Sequence, residues 1–322
     1  MEQPTDIERT SIEKHSPAPI ASVRGDYTKP RDQNEKETMK PLVVRQSSIG
    51  TYLNCPRSWY LQYVRSGLGL EKIEEDVNIN ADIGTKVHKR LEAHYKDQPE
   101  PVFEPGDETL LSKLMVDGYI QWVADTGADF GERQEFIERR ISLPIPGVCE
   151  REVEISCQLD RLVFDEITEE YIVDDFKTVA SLGVNMLEVN QQLLTYVLAV
   201  EASGFPCRRG RITQLKRSKR TAKATPPFYE RFEIYVTDEM KQNHLRHLRA
   251  TLGNMVRDLD MLNPWLSGEN HHDVVYPVPS RDCSWRCPFV SVCPSMDDGS
   301  DWEGELAENF KPRTEHFKET DE

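Results

Sequence analysis

Two aspartates and a lysine stand where a short β-hairpin would bring them together. Two apolar runs with the pattern of strands flank the polar segment DEITEE, which suits a hairpin connection. If Phe164 pairs with Tyr171 across this connection, Asp160 falls directly opposite Asp175. Directly opposed Cβ atoms lie about 4.5–5.5 Å apart, and like charges there destabilise the sheet unless another group compensates them. The pattern therefore predicts a carboxylate pair that shares a cation.

The chemistry of such a pair follows from its oxygen ligands, which suit Mg²⁺ or Mn²⁺. Lys177 lies two residues after Asp175 and projects from the same strand face, whereas Asp174 points to the opposite face. A divalent cation acidifies a bound water and draws charge from phosphoryl oxygens. The Lys177 ammonium can hold that water or stabilise charge on the phosphate, and the backbone carbonyl of Phe176 can add a ligand. These residues predict metal-assisted hydrolysis of a phosphodiester.

A second group of metal-binding side chains lies near the C-terminus. Cys283, Cys287 and Cys293 form a C-x3-C-x5-C array, which is too dense for chance core packing. Cys55 is the best candidate for a fourth ligand because proline follows it, as it follows Cys287 and Cys293, and proline stiffens a ligand loop. Four thiolates suit an iron–sulfur cluster or a structural zinc ion, and the spacing alone does not separate the two. Either metal would tie distant segments together and add its binding energy to folding.

The elements that must position these residues have an α/β pattern. Helices are predicted from about residue 44 and over 82–95, 107–125, 186–201 and 238–262. Strands are predicted for EFIERRISLPI, 153–164, 171–177 and FYERFEIYV. A helical start, central strands and flanking helices indicate one α/β core with a helical elaboration.

The two ends of the chain are expected to lie outside this core. Residues 1–44 are polar, carry five prolines and lack sustained periodicity, so we expect a disordered arm. Residues 45–295 form the predicted folded domain. Residues 296–322, with ten acids and three bases, form a predicted acidic tail. The sequence has neither a recognisable signal peptide nor a membrane-spanning apolar run, so we expect a cytoplasmic protein.

The charge distribution permits binding to nucleic acid despite a net charge of −16. Eight basic residues lie within sixteen positions that contain no acid, and such a strip can neutralise several phosphates. We name these residues the basic strip: Arg208, Arg209, Arg211, Lys216, Arg217, Lys219, Arg220 and Lys223. A solvated loop is the alternative interpretation, so charge alone does not establish binding.

Several motifs resemble those of RecB-like PD-(D/E)XK nucleases, in the order that the family has them. The matching segments are SSIGTYLNCPRSWYLQYV, GTKVHKRLE, QLDRLVF, IVDDFKT and NQQLLTYVLAV, which together span about residues 47–196. The resemblance implies a restriction-endonuclease-like core, in which a central mixed β-sheet is flanked by helices. Cys157 departs from the family pattern, which often has glycine shortly before the second-motif aspartate.

The resemblance also assigns roles to residues. His88, Asp160 and Asp175 would be metal ligands, and Lys177 would be the catalytic lysine. Gln192 and Tyr196 lie four residues apart on one helical face and would position the substrate or the lysine. Plain helix packing is the alternative explanation for that pair.

A subset of these nucleases also has a cysteine cluster. CRISPR-associated RecB-like exonucleases and the AddB nuclease domain share one N-terminal cysteine and a C-terminal trio around a [4Fe–4S] cluster. The resemblance therefore implies that Cys55, Cys283, Cys287 and Cys293 hold such a cluster as a clasp between the ends of the domain. The first gap of the trio is three residues here, where the family usually has two, so zinc stays open as the alternative.

The expected function is that of a Mg²⁺- or Mn²⁺-dependent DNA exonuclease acting on single strands or DNA ends in recombination, repair or phage DNA processing. The resemblance favours degradation from the 5′ end. The chain lacks a phosphate-binding Gly-Lys-Ser/Thr loop, so any helicase or recombination partner would be a separate protein. The alternative is a DNA-binding or end-trimming adaptor subunit with little activity of its own. The sequence leaves the oligomeric state undetermined.

Overall fold

A computed structural model describes residues 41–67, 69–73, 78–221, 223–262 and 274–313. Its strands are β1 Leu42–Arg45, β2 Leu70–Lys72, β3 Glu132–Pro144, β4 Val153–Asp165, β5 Glu170–Val179, β6 Cys207–Lys216, β7 Tyr229–Tyr235 and β8 Phe310–Pro312. Its α-helices are α1 Gln46–Asn54, α2 Pro56–Trp59, α3 Ile79–Tyr95, α4 Asp107–Thr126, α5 Gln191–Ala202, α6 Asp238–Leu262, α7 Cys283–Arg286, α8 Ser295–Asp298 and α9 Trp302–Asn309. None of the helices in the described ranges combines the length and apolar character needed to cross a bilayer.

The large sheet is mixed, as the sequence predicted. β4 lies at its centre and pairs antiparallel with β3 along almost its whole length. The other edge of β4 is shared, because β1 pairs in parallel with its first residues and β5 pairs antiparallel with its last. β6 then pairs in parallel with β5, and β7 pairs antiparallel with β6. This arrangement and the helices around it confirm the restriction-endonuclease-like α/β fold.

Helices cover both faces of the sheet. On one face, α5 is buried along most of its length and packs with α1 and α6 around residues such as Leu159 and Val173. On the other face, α3 and α4 pack around Phe176, Leu215 and Tyr229. Each large apolar side chain buried in these two layers contributes about 1 kcal/mol or more of transfer free energy. This packing fixes the positions of the strands between the layers.

The predicted register of the β4–β5 hairpin is present. Phe164 pairs with Tyr171, and the ladder continues to Arg161 opposite Asp174. The ladder ends there, one step before Asp160 and Asp175, whose charges still lie close enough to interact. A hairpin with one buried face tolerates no slip, because a one-residue shift would move every apolar side chain to the wrong face.

The folded region is larger than the composition suggested. The strand Leu42–Arg45 lies partly within the predicted arm, and its backbone pairs with Val153–Ser156. Residues 1–40 of that arm lie outside the described residues. The predicted tail is folded up to residue 313, because α9 and β8 return to the domain and β8 pairs with β2. Composition cannot reveal such pairings, since a short strand far along the chain supplies the partner.

Candidate active site

The two predicted carboxylates lie where β4 and β5 separate. The ladder between these strands ends at Arg161 and Asp174, and β4 next pairs with β1 only at Ser156. Within this gap the Asp160 side chain takes the place of a backbone acceptor, since the Phe176 amide donates to its Oδ2 at 2.7 Å. We call this separation of β4 and β5 the fork. It opens the sheet without leaving the Phe176 amide unpaired, and one carboxylate oxygen of Asp160 is turned towards the opening.

Asp160 carries the electrostatic signature of a functional carboxylate. Burial and then the charge of Asp175 raise its pKa, His88 and Lys177 oppose the change, and the net result is a pKa of about 7. A buried like-charged pair of this kind favours either a proton or a cation at the site. The arrangement is therefore a candidate site for a divalent cation.

His88 reaches this pocket from α3. The buried stripe Ile83, Val87 and Leu91 packs the helix onto the sheet, and His88 follows on the adjoining side. Its Nδ1 lies 3.5 Å from Oδ1 of Asp160 and 3.4 Å from Oε1 of Glu138. Burial lowers the pKa of His88, but the bond with Glu138 and the charge of Asp160 outweigh it and leave the pKa raised.

Glu138 on β3 is a site residue that the sequence reasoning missed. Its carboxylate, that of Asp160 and the His88 ring offer three ligand atoms within 4.8 Å of one another. The β3–β4 register passes from Ile137 opposite Arg161 to Arg139 opposite Leu159, so Glu138 falls beside Asp160 on the neighbouring strand.

The backbone at Glu138 departs from ordinary strand geometry. Its φ is +47°, a left-handed value that a glutamate adopts at a cost of about 1–3 kcal/mol. Gln158 donates to its Oε2 at 3.2 Å and holds the carboxylate towards the pocket. The run EFIERRISLPI signalled a strand, but the connection to β4 left its register open, and a bulge between Gln134 and Phe136 shifts that register. Only the folded hairpin shows that this acid enters the site.

Asp175 and Lys177 form a pair at the mouth of the fork. The Lys177 Nζ lies 2.8 Å from Oδ2 and 2.9 Å from Oδ1 of Asp175, and 38% of the lysine side chain is exposed. Burial lowers the pKa of Lys177, but the charges of Asp175 and Asp160 raise it overall, so the group is an ammonium. Asp175 is thus held by the lysine, and among the described residues the ligand atoms that lie within 4.8 Å of one another come from His88, Glu138 and Asp160 and not from Asp175. The predicted role of Asp175 as a metal ligand stays a prediction. The role of the Phe176 carbonyl as a ligand stays a prediction.

Gln192 and Tyr196 lie on α5 beside this pair. Asn190 caps the helix by accepting from the Leu193 amide at 2.9 Å, so the helix begins later than the sequence predicted. The Gln192 Nε2 donates to the Tyr196 hydroxyl at 2.8 Å. Burial raises the pKa of Tyr196, the bond from Gln192 opposes the change, and the nearby charges of Asp175 and Asp160 add to the rise, so the hydroxyl is neutral.

Asp174 belongs to a separate network on the opposite strand face. It is fully buried and accepts from Thr213 Oγ1 at 2.6 Å and from Arg211 Nη2 at 2.8 Å. Burial raises its pKa, but Arg211, Arg231 and Arg161 outweigh that effect and lower it to about 2. Its charge therefore stabilises the sheet and takes no part in the site.

In the first half of the basic strip Arg209 and Arg211 are structural, which corrects their predicted role as phosphate contacts, whereas Arg208, with 39% of its side chain exposed, stays a predicted contact. Arg211 is only 3% exposed and pairs with Glu132 and Asp174. Arg209 pairs with Asp165 at 2.7 Å, and Arg208 pairs with Asp238 at 3.0 Å. These residues lie on strand β6 or at its start, where neighbouring strands and α6 supply acids that are distant in sequence.

The second half of the strip extends into the connection from β6 to β7. The Arg217 amide donates to the Val179 carbonyl at 2.7 Å, which places the connection at the end of the strand that carries Lys177. Lys219 pairs with Asp107 at the surface at 2.9 Å. Arg220 stacks on Phe228 and donates to the Tyr229 hydroxyl, so it anchors the connection. Lys216 and Arg217 are both half-buried. For this second half of the strip, contact with nucleic acid stays a prediction.

The four predicted cysteine ligands surround one cavity of about 290 Å³. Cys55 lies between α1 and α2, and its Sγ accepts from the amides of Ser58 and Val278, each at 3.5 Å. The Cys283 Sγ accepts from the Ser280 amide at 3.3 Å. Burial raises the pKa of the Cys287 and Cys293 thiols, although hydrogen bonds from Phe289 and Ser58 to Cys287 and from Arg57 to Cys293 oppose the change.

A buried arginine ties this cavity to the folded part of the acidic segment. Arg57 is 1% exposed and donates two bonds of 2.7 Å to Asp297. It also donates to the carbonyls of Val275 and Cys293 and approaches the Cys293 Sγ at 3.8 Å. Residue 297 is therefore part of the cysteine region, and not of a free tail.

The comparison with protein families agrees with the geometry. The sequence profile described as the PD-(D/E)XK nuclease superfamily matches residues 45–294, which is most of the chain. No curated protein gave a significant match. The match spans the forked sheet, the α3 histidine and the cysteine segments. The chain belongs to the PD-(D/E)XK nuclease superfamily.

Proposed function

We propose that this nuclease is a Mg²⁺- or Mn²⁺-dependent DNA exonuclease that acts on single strands or DNA ends. The observation that carries the proposal is the meeting of His88, Glu138 and Asp160 beside the Asp175–Lys177 pair at the fork. Superfamily membership implies a metal-dependent nuclease. The fork supports the proposal because an oxygen-rich group of ligands lies beside the Lys177 ammonium, and 38% of the lysine side chain is exposed.

The donor set fits a hard divalent cation. Glu138 and Asp160 supply carboxylate oxygens and His88 supplies a ring nitrogen, which are ligands common to Mg²⁺ and Mn²⁺. A bound cation would lower the pKa of a water and neutralise charge on the scissile phosphate. Asp175 can become a further ligand when Lys177 leaves it and contacts the substrate instead.

The side chains themselves supply orientation and charge. Lys177 can donate to the attacking oxygen or to a phosphoryl oxygen, because its ammonium sits at the exposed mouth of the fork. Tyr196, kept neutral and oriented by Gln192, can donate to a phosphate or hold the lysine. Since all three groups lie on rigid elements, positioning rather than covalent chemistry would supply most of the rate enhancement.

The test uses end-labelled single-stranded, double-stranded and circular DNA with Mg²⁺, Mn²⁺ or EDTA. Metal-dependent shortening from one labelled end, with circular DNA left intact, is the expected result. Lys177→Ala should abolish it, whereas Lys113→Ala, which removes an exposed lysine on α4, should not. Cleavage by Lys177→Ala at the wild-type rate would refute the assigned role of the lysine. Cutting of circular DNA would refute the exonuclease mode.

We also propose that Cys55, Cys283, Cys287 and Cys293 hold a [4Fe–4S] cluster with a structural role. Thiolates suit iron–sulfur clusters, and backbone amides already donate to two of the sulfurs. Within the described residues, no three thiols lie within 4.8 Å of one another. A tetrahedral zinc ion would need sulfurs about 3.8 Å apart, given Zn–S bonds of about 2.3 Å. The wider spacing therefore supports the larger cluster over zinc.

A further inference from the structure

A groove of about 590 Å³ runs beside the N-terminal half of α3. One wall is formed by Asn78, Ala81, Asp82 and Thr85, which share one side of the helix at spacings of three and four. The opposite wall comes from the cysteine segment, including Trp285 and Arg286. The pairing of β2 with β8 closes the side of the groove between these walls.

This groove leads to the catalytic pocket. Thr85 precedes His88 by less than one helical turn, which corresponds to about 4.5 Å along the axis. Gly84 on α3 lies against Thr178, the residue after Lys177. A Cβ added at Gly84 would be 3.4 Å from the Oγ1 of Thr178. The lined part of the helix, from Asn78 to Thr85, is about 10 Å long, or on the order of three base spacings of 3.4 Å.

Trp285 is the prominent apolar feature of the groove. It is 71% exposed, although tryptophan is highly buried on average in folded proteins. It lies on the short helix α7, two residues after Cys283 and two before Cys287. Its indole is thus presented from a segment that the cysteine site restrains, and a restrained exposed ring is a suitable platform for a nucleobase.

The charges around the groove favour a polyanion. Lys72, Arg286 and Arg313 line it, and 70% of the Arg286 side chain is exposed. Each of the two acids of the lining has a lysine partner, and Arg286 itself lies 3.9 Å from Asp282. Glu71 lies 3.5 Å from the Lys311 Nζ, and Asp82 pairs with Lys86.

We propose that this groove holds a single strand of DNA, with a base stacked on Trp285 and a phosphate bound by Arg286, and that it guides the strand to His88. The proposal rests on the proposed nuclease function for the identity of the strand. It adds a substrate-positioning role to the cysteine segment, because the metal that restrains Cys283 and Cys287 would also restrain the stacking ring. A duplex keeps its bases stacked on one another, so the groove selects an unpaired strand.

The test is binding of fluorescein-labelled oligo(dT) in EDTA, measured by anisotropy on anaerobically purified full-length protein. Trp285→Ala should weaken binding about five- to hundredfold, the range for loss of one stacked base. Trp285→Phe should retain most of the affinity while it removes the fluorescence quenching that the strand causes at Trp285. Phe130→Ala is the matched control, because Phe130 is 80% exposed but lies in the turn before β3, outside the groove. It should bind like the wild type.

A second measurement uses an oligonucleotide with abasic sites. It tests base stacking on the wild type and so does not depend on whether Trp285→Ala disturbs the cysteine segment. The wild type should prefer the base-bearing strand by the same factor that Trp285→Ala loses. Equal binding of abasic and base-bearing strands by the wild type would overturn the proposal, and so would wild-type affinity in Trp285→Ala. If the stacking preference is present but no DNA is cleaved with Mn²⁺, the groove stands and the proposed nuclease activity falls.

Discussion

Exchanging the adjacent residues Asp174 and Asp175 for asparagine should separate stability from activity. The two side chains project from opposite faces of β5, so the same chemical change enters two different environments. We expect Asp174→Asn to destabilise the fold. We expect Asp175→Asn to remove nuclease activity and leave the fold almost as stable as before.

The expected cost of Asp174→Asn follows from its pairing. The change from the ordinary pKa of 3.8 to about 2 corresponds to about 2.5 kcal/mol of preference for the charged form, at about 1.4 kcal/mol per pKa unit. Removing one partner from a buried ion pair generally costs about 3–5 kcal/mol. We therefore expect a loss of about 2–5 kcal/mol, or about 5–15 °C in the melting temperature.

The same pairing gives the pH dependence. The pKa of Asp174 is lower in the folded chain than in the unfolded chain. Its contribution to the free energy of unfolding is therefore complete above about pH 4 and is lost as the pH falls towards about 2. The difference in stability between the wild type and Asp174→Asn should accordingly shrink over that range.

Asp175→Asn has a different balance in the metal-free protein. It removes one of two facing negative charges, and this relieves the repulsion that raises the pKa of Asp160. It also removes the partner of Lys177, but that side chain is 38% exposed and can be solvated. These effects oppose each other, so a change within about 1 kcal/mol is expected.

The assay is urea and thermal denaturation of both variants in EDTA, followed by cleavage of labelled DNA with Mn²⁺. The metal content of each sample should be equal, so that the cysteine site is not the source of any difference. Wild-type stability in Asp174→Asn would refute the assignment of the buried network. A loss of several kcal/mol in Asp175→Asn would show that the fork depends on this carboxylate for folding.

Three further predictions concern the two proposed metal sites. Glu138→Gln should weaken Mn²⁺ binding about 10- to 100-fold with little change in folding; unchanged affinity in calorimetry would remove Glu138 from the site. Mn²⁺ affinity should fall at least about tenfold per pH unit below about pH 7, because the pKa of Asp160 lies at about 7, that of His88 is raised, and bound protons compete with the cation; a flat profile from pH 5 to 8 would contradict this. Cys55→Ala should lose iron, sulfide and the visible chromophore together with stability, whereas Cys149→Ala, at an exposed thiol, should lose none of them; full iron content in Cys55→Ala would exclude it as the fourth ligand.

The composition of the acidic segment suggests deleting it as a whole, but the structure calls for a shorter truncation. If these residues were a free tail, deletion of residues 297–322 would test whether its charge affects DNA binding. The structure shows that this deletion would remove Asp297 from the buried Arg57 and take away β8. It would therefore disturb the cysteine region as well. Truncation after residue 313 retains these contacts and is the suitable variant.

Prediction from the sequence was most successful where the interactions were local. The hairpin register followed from a short connection and one buried face, so the positions of Asp160 and Asp175 could be worked out in advance. The helical position of His88 followed from the apolar stripe around it. Glu138 was missed because β3 and β4 have a longer connection and a bulge, which leave several registers open.

The basic strip shows the limit of reasoning from charge. Eight bases without an acid in sixteen positions indicated a phosphate-binding surface. Arg209 and Arg211 instead find their acids on β4, β3 and β5, which the sheet brings alongside β6. A linear count cannot see such partners, because they approach only when the sheet forms.

The sequence by itself determined the residue types of the site, the pairing of the central hairpin and the superfamily motifs, since each depends on neighbours within a few positions. Only the tertiary structure decided that β4 and β5 fork at Asp160, that Glu138 completes the pocket, and that Trp285 faces α3 across a groove. The physical reason is that these placements depend on contacts between segments that are sixteen or more positions apart. Packing of the whole domain selects those contacts, whereas local preference leaves many alternatives open.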